Sequence, residues 1–232
     1  MPSTDRPGVR LTRWGHSCVL LTVDQPNGDP RHLLLDPGNL TPPLTAEVGP
    51  VDAVLVTHAH ADHVDPEQIR RLQQAAATPV YGDEGVRALL ADVGLENTRM
   101  VTSTTSSIAD VPVVVWTSPH EVIYPGVPLP ANLSYLIADT VLAPGDAFFV
   151  PDVDVDVLLL PIGAPWMKLA DTIDYLRAVA PRVAVPVHDN GLAHAHQNLH
   201  RSLLTKFAPS GTTVASPGLG ELLDLATLEV TT

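Results

Sequence analysis

One cysteine, Cys18, occurs in 232 residues, so no intramolecular disulfide can form. Set among Val19, Leu20 and Leu21, it reads as a buried structural thiol rather than a nucleophile. Lysine is found only at Lys168 and Lys206, and 13 basic against 26 acidic residues leave a formal charge of −13 and a pI near 4.9. Such a surface repels phosphate backbones and anionic bilayers at long range. It argues against nucleic-acid and membrane partners and for a small-molecule substrate. No apolar run approaches the roughly 20 residues that cross a bilayer. The opening MPSTDRPGVRLTRWGHSC lacks the apolar stretch of a signal peptide, so a cytoplasmic location is expected. No G-x-S-x-G motif offers a serine nucleophile. Proline and glycine stay well below the share that marks disorder, and no linker divides the chain, so one domain over residues 1–232 is expected.

What the chain does have is a dense polar cluster behind a buried strand. In VDAVLVTHAHADHVDP (Val51 to Pro66), Val51, Ala53, Val54, Leu55 and Val56 form the near-continuous apolar run of a strand covered on both faces. His58, His60, Asp62 and His63 follow within six residues. Three imidazoles and a carboxylate so close together are costly to bury without a partner. A borderline divalent cation, zinc first, suits both donor types. Period-two alternation points His58 and His60 the same way, and Ala59 and Ala61 leave room for them to converge. Asp65-Pro66 then reads as a helix cap with proline at the first helical position.

The rest of the chain repeats a strand-then-helix theme. Strands are expected at Val9 to Trp14 and Cys18 to Val23, joined at Gly15-His16, and at His32 to Leu35 after the turn-rich QPNGDPR. A helix from Pro66 to Ala77, a short strand at Val80-Tyr81 and a helix from Asp83 closed by Gly94 come next. Strands follow at Arg99 to Thr102 and Val111 to Thr117. A hairpin is expected from Leu133–Ala138 and Val141–Ala143. Val155 to Leu160 echoes Val51 to Val56; a helix from about Lys168 to Val179, a buried strand from Val183 to Val187, a helix near His196 to Phe207 and two short strands complete the pattern. Two sheets packed face to face with helices outside account for this order.

Four apolar strands lead into a metal-type ligand: the His58 cluster, His120, Asp146 and His188. Rigid sheets hold ligands at strand ends, where loops are free to vary. The H-x-H-x-D-H cluster, with His120, Asp146 and His188 in this order, resembles the metallo-β-lactamase superfamily. The likeness runs over essentially the whole chain. It implies an αββα four-layer α/β sandwich, two mixed sheets flanked by helices. It also implies two divalent metal ions, zinc first, with manganese or iron also compatible. His58, His60 and His120 would hold one ion, Asp62, His63 and His188 the other, with Asp146 bridging. His120 stands where some members carry cysteine, so an all-nitrogen-and-oxygen site is expected. Asp36, in LLLDPG, matches an aspartate that supports a ligating histidine, though a turn aspartate before Pro-Gly is an equal reading. Trp14-Gly15-His16 and NLSYLI (Asn132 to Ile137) resemble the small bacterial hydrolases related to L-ascorbate-6-phosphate lactonase and N-acyl-phosphatidylethanolamine phospholipase D.

Paired ions of this kind lower the pKa of a bridging water and provide hydroxide without a side-chain nucleophile. The expected reaction is hydrolysis of an ester, lactone, amide or phosphodiester, with Asp62 orienting the nucleophile or relaying a proton as the catalytic residue. Trp166, Lys168 and Tyr124 are candidates for the pocket wall, and His16 either reaches the site or packs in the core. His194 and His196 imitate H-x-H ahead of a helix but read as surface residues. Two alternatives stay open: a non-haem iron oxidoreductase of dioxygenase type on the same fold, and a metal-stabilised binding protein without turnover.

Overall fold

A computed structural model describes residues 6–26 and 28–232. The first five residues of the opening segment and Asn27 in the expected hairpin loop lie outside the described residues.

The first sheet takes β1 (Val9–Gly15), β2 (Cys18–Gln25), β3 (Gly28–Leu35), β4 (Ala53–Leu55), β5 (Val80–Gly82) and β6 (Thr98–Met100) side by side in chain order. The second takes β7 (Thr104–Ile108), β8 (Val111–Pro119), β9 (Ala131–Ile137), β10 (Val141–Ala143), β11 (Val157–Pro161), β12 (Val183–Val187) and β13 (Thr213–Val214). The chain then returns to the first sheet, where β14 (Leu222–Asp224) pairs with β1 and β15 (Val230–Thr231) forms the outer edge. Each sheet is antiparallel at its start and parallel afterwards, and the change falls at β3–β4 and at β10–β11. Parallel strands need crossovers, which at β3–β4 and β10–β11 are loops and beyond those junctions are helices. α1 (Pro66–Ala75) and α2 (Glu84–Ala91) serve the first sheet, α3 (Leu169–Val179) and α4 (His194–Phe207) the second.

Three apolar clusters fill the four layers. Leu11, Leu21, Leu33 and Leu55 meet Val113, Tyr135, Leu159 and Val185 between the sheets. Val54, Val56 and Leu34 face Ile69, Val86 and Leu90 under α1 and α2, while Leu158, Leu160 and Ala184 face Tyr175, Leu176 and Leu204 under α3 and α4. Alternate residues of β4 and β11 thus enter different clusters, as a strand buried on both faces requires. The expected αββα sandwich is the observed fold.

The local signals act as expected. Asp65 caps α1 by accepting from the Glu67 amide with Pro66 in the first turn, and Asp83 caps α2 through the Val86 amide. Three details differ. β7, TTSSI, is an edge strand whose polar side chains carry no apolar run to announce it. β15 is likewise exposed and only two residues long. α4 begins at His194, so His194 and His196 lie inside its first turn rather than ahead of it.

One rim of the sandwich gathers the ends of β1, β3, β4, β8, β10 and β12. Main-chain bonds stitch the sheets together there: the Leu133 amide donates to the Thr57 carbonyl at 2.8 Å, and the His188 amide to the His16 carbonyl at 3.0 Å. The buried Tyr135 hydroxyl donates to the Val56 carbonyl at 2.8 Å. Ligands arriving from both sheets therefore meet on a fixed frame.

Candidate metal centre

His58, His60, Asp62 and His63 occupy the loop between β4 and α1, and Gly38 lets the chain after β3 lie against it. A Cβ at Gly38 would fall 1.9 Å from the Asp62 carbonyl oxygen, inside any contact distance. His120 follows β8, Asp146 follows β10 and His188 follows β12. Gly145 has a left-handed φ of +66°, and a Cβ there would meet Asn132 Oδ1 at 2.2 Å and Thr57 Cβ at 2.8 Å. Only glycine delivers Asp146 past those two neighbours.

All seven residues converge. The ligand-capable atoms of His58, His60, His120 and Asp146 lie within 4.8 Å of one another, and so do those of Asp62, His63, His188 and His16. Asp146 joins the two groups. Its Oδ2 is 3.5 Å from His120 Nε2 and 4.0 Å from His58 Nε2, and its Oδ1 is 3.2 Å from His63 Nε2 and 3.3 Å from His188 Nε2. Asp62 Oδ2 approaches His188 Nε2 at 3.4 Å and His63 Nε2 at 4.0 Å.

The outer ring nitrogens are tied back to the protein. His63 Nδ1 donates to Asp36 Oδ2 at 2.8 Å, His188 Nδ1 to the Gly163 carbonyl at 2.7 Å, His120 Nδ1 to the Glu121 carbonyl at 2.6 Å and His58 Nδ1 to Thr57 Oγ1 at 3.0 Å. Each bond puts the ring proton outside and leaves a lone pair on Nε2 facing inward. Asp36 therefore supports a ligand-type histidine, and its carboxylate also accepts from the Thr57 amide and hydroxyl, each at 2.8 Å.

The inward atoms are orphans. Among the described residues, eleven buried side-chain nitrogens and oxygens lack a hydrogen-bond partner, and five are His58, His63, His120 and His188 Nε2 and Asp146 Oδ1. The pairs near 3.2 Å lie close enough for charge attraction but are not aligned as hydrogen bonds. Unpartnered buried polar atoms are rare because each costs about 1–3 kcal/mol. Five pointing at common centres fit a set of cation ligands, and nitrogen with carboxylate oxygen fits zinc, manganese or iron.

The electrostatics of the protein alone agree with this. Burial would raise the Asp146 carboxyl, but His63, His120 and His188 hold it well below the usual range. Burial would lower His63, yet Asp146 and Asp36 on either side drive it well up. His188 is likewise opposed by burial and raised to about 9 by Asp146 and Asp62. His58 is pushed well down by burial and by the charge on His63. Without an ion, these raised values favour a second proton on His63 and His188, at the inward Nε2, where a cation would take its place.

Of the pocket candidates, Trp166 reaches the centre, its Nε1 donating to Asp146 Oδ2 at 2.8 Å. His16 also reaches it, with Nε2 3.2 Å from Asp62 Oδ2. Lys168 is exposed at the start of α3, where its amide donates to Asp171 Oδ2 at 2.9 Å. Tyr124 is 70% exposed in the loop after His120. His194 and His196 are exposed in the first turn of α4 and belong to neither group of converging ligand-capable atoms. Residue patterns gave no notice of the part played by Thr57, and marked Asn132 only as the start of NLSYLI. Asn132 accepts from the Asp146 amide at 3.0 Å and donates to the Pro144 carbonyl at 2.8 Å, which fixes the loop that carries Asp146. An asparagine heading the apolar run LSYLI was the available signal, and the structure buries it fully.

An αββα sandwich with buried histidines and aspartates converging at one rim defines a metal-binding protein of the metallo-β-lactamase fold. The sequence profile described as "Beta-lactamase superfamily domain" matches residues 10–188. Protein Rv0786c of Mycobacterium tuberculosis is 37% identical over 205 residues, covering 85% of this chain and 92% of that protein. A UPF0173 metal-dependent hydrolase of Archaeoglobus fulgidus is 30% identical over 203 residues, covering 78% and 84%. Among solved structures, Igni18, a metallo hydrolase from Ignicoccus hospitalis, superposes with a TM-score of 0.69 at 19% identity, covering 94% of this chain and 99% of that one. The chain belongs to the beta-lactamase superfamily, among the metal-dependent hydrolases of the metallo-β-lactamase fold.

Proposed function

We propose that this chain is a dinuclear metallohydrolase acting on a small-molecule ester, lactone or phosphodiester. The observation that carries the reading is the division of Asp146: one oxygen turns to His58 and His120, the other to His63 and His188. A carboxylate placed in this way would serve two cations at once. His58, His60 and His120 would hold the first, and Asp62, His63 and His188 the second. Bound there, two divalent ions supply ionised water at neutral pH and Lewis acidity at the attacked group.

The chain's own groups set the conditions for that chemistry. Burial of His58, His63, His120, His188 and Asp146 excludes bulk solvent from one side of the centre. Asp62 differs: its side chain is 29% exposed, so it reaches both the ligand cluster and the substrate side. It is placed to orient the attacking water and to accept its proton. The indole of Trp166 occupies one lone pair of Asp146 Oδ2 and so fixes the plane of the bridge. The acidic surface favours a small molecule over a nucleic acid. Zinc is the first expectation for the metal.

The test is metal counting and turnover on one preparation. Protein loaded separately with zinc, manganese and iron(II) should bind two ions per chain and hydrolyse at least one member of a panel of lactones, carboxylic esters and phosphodiesters. Asp146→Ala should lose an ion and the activity together. One ion per chain at saturation would refute the dinuclear reading. Iron with oxygen consumption would replace hydrolysis by the oxidative alternative.

A further inference from the structure

His16 belongs by position to the second group of ligand-capable atoms, and by position alone it would pass as a metal ligand. Its hydrogen bonds say otherwise. The Asn190 backbone amide donates to His16 Nδ1 at 3.3 Å. A backbone N–H only donates, so Nδ1 carries the lone pair and the ring proton sits on Nε2. That proton faces Asp62 Oδ2 at 3.2 Å. His58, His63, His120 and His188 have the reverse arrangement, with Nδ1–H outward and the Nε2 lone pair inward. A metal needs a lone pair, and His16 presents a hydrogen.

The frame around His16 keeps this arrangement in place. The residue is buried, in a left-handed turn at φ +51° between β1 and β2, and its carbonyl accepts from the His188 amide at 3.0 Å. Asn190 is held two residues beyond His188. Between them the fully buried Asp189 is gripped by Arg13 of β1 and Arg201 of α4. The amide that sets the tautomer is thus anchored from both sheets and a helix.

We infer that His16 is a positioning residue: a neutral imidazole, protonated on Nε2, that donates a hydrogen bond to Asp62 and aims its carboxylate at the second ion. This rests on the dinuclear reading for its purpose, but the tautomer is a property of the protein alone. Nitrogen-15 spectra of the histidine side chains should show His16 with an Nε2 proton in the metal-free protein and again after loading. Loading with cadmium-113 should give coupling to the rings of His58, His60, His63, His120 and His188, and none to His16. His16→Leu should still take two ions at saturation, with the weaker of the two bound about 10–100-fold less tightly, the range for lost support of a ligand. His16→Gln, whose amide keeps an N–H near Nε2, should recover most of that loss.

Cadmium coupling to His16, or an Nδ1 proton on it, would overturn the assignment. Equal weakening in the leucine and glutamine variants, or none in either, would do the same. If the wild-type protein takes a single ion, the dinuclear reading fails, and the spectrum of the metal-free protein still decides the tautomer.

Discussion

Asp36→Asn isolates what a residue outside the ligand set contributes. The carboxylate accepts three hydrogen bonds, from the Thr57 amide on Oδ1 and from the Thr57 hydroxyl and His63 Nδ1 on Oδ2. Asparagine keeps the shape but turns one of those positions into a donor. If its amide nitrogen faces His63, two N–H groups oppose each other and the imidazole loses the acceptor that fixes its tautomer. If it faces the Thr57 amide, the same conflict falls on the loop entering the ligand cluster. Either way one buried group is left unpaired, at a cost of about 1–3 kcal/mol. For a chain of this size each 1 kcal/mol is worth roughly 2–4 °C in Tm. Removing such support from a ligating histidine lowers metal affinity about 10–100-fold, or about 1.4–2.7 kcal/mol. The variant should therefore melt several degrees lower when metal-free. In calorimetric titration it should hold one ion near wild-type affinity and the other 10–100-fold more weakly. Unchanged affinity at both sites would refute the role given to Asp36. Equal loss at both would show that His63 is not confined to one ion.

Other outcomes follow from the same geometry. Gly145→Ala forces a side chain into a left-handed backbone and against Asn132 Oδ1, so it should destabilise the fold by about 1–2 kcal/mol or more and lower metal content, read by thermal melting and metal analysis. His194→Ala should change neither metal content nor hydrolytic rate; losses matching those of His60→Ala would break the ligand assignment. In the metal-free protein His63 and His188 have raised pKa values, His188 to about 9. The His188 proton stabilises the fold fully below about pH 6.5, the unfolded value, and that contribution disappears as pH rises through 9, with His63 acting in the same direction. Melting temperature of the metal-free protein should therefore fall between pH 6.5 and 9. The loaded protein should not share that decline, because metal displaces those protons on binding, and proton release in this range should be measurable by titration in weak buffer.

Most of the framework was legible in residue order. Buried strands announced themselves as short apolar runs, and Asp65-Pro66 marked the start of α1 because cap and proline act locally. The first cluster was legible because four ligands fall within six residues. His120, Asp146 and His188 came from resemblance, since only the packing of two sheets makes three distant strand ends neighbours. Two kinds of feature stayed hidden. β7 escaped because an edge strand needs no apolar alternation when one side faces solvent. Asn132 and Thr57 act through hydrogen bonds to loops far away in sequence, and no spacing rule reveals such partners.

The rim that carries the ligands is also where the fold is least comfortable by itself. His16, Asp36 and His188 all have left-handed backbones, at φ +51°, +42° and +58°. Side chains other than glycine occupy that region only when their surroundings hold them there. The restraint here is visible: the His16–His188 main-chain bond, the Arg13–Asp189–Arg201 grip and the acceptor bonds on Asp36. Inside that frame five buried polar atoms find no protein partner. A chain folding for stability alone would fill such a space with aliphatic groups. Retaining it makes sense when the missing partners are cations, because the binding free energy of the ions then adds to folding. The arrangement that leaves the metal-free protein strained is the one that holds Asp146 between two sets of imidazoles, so the proposed activity and a metal-dependent gain in stability would rise from the same contacts.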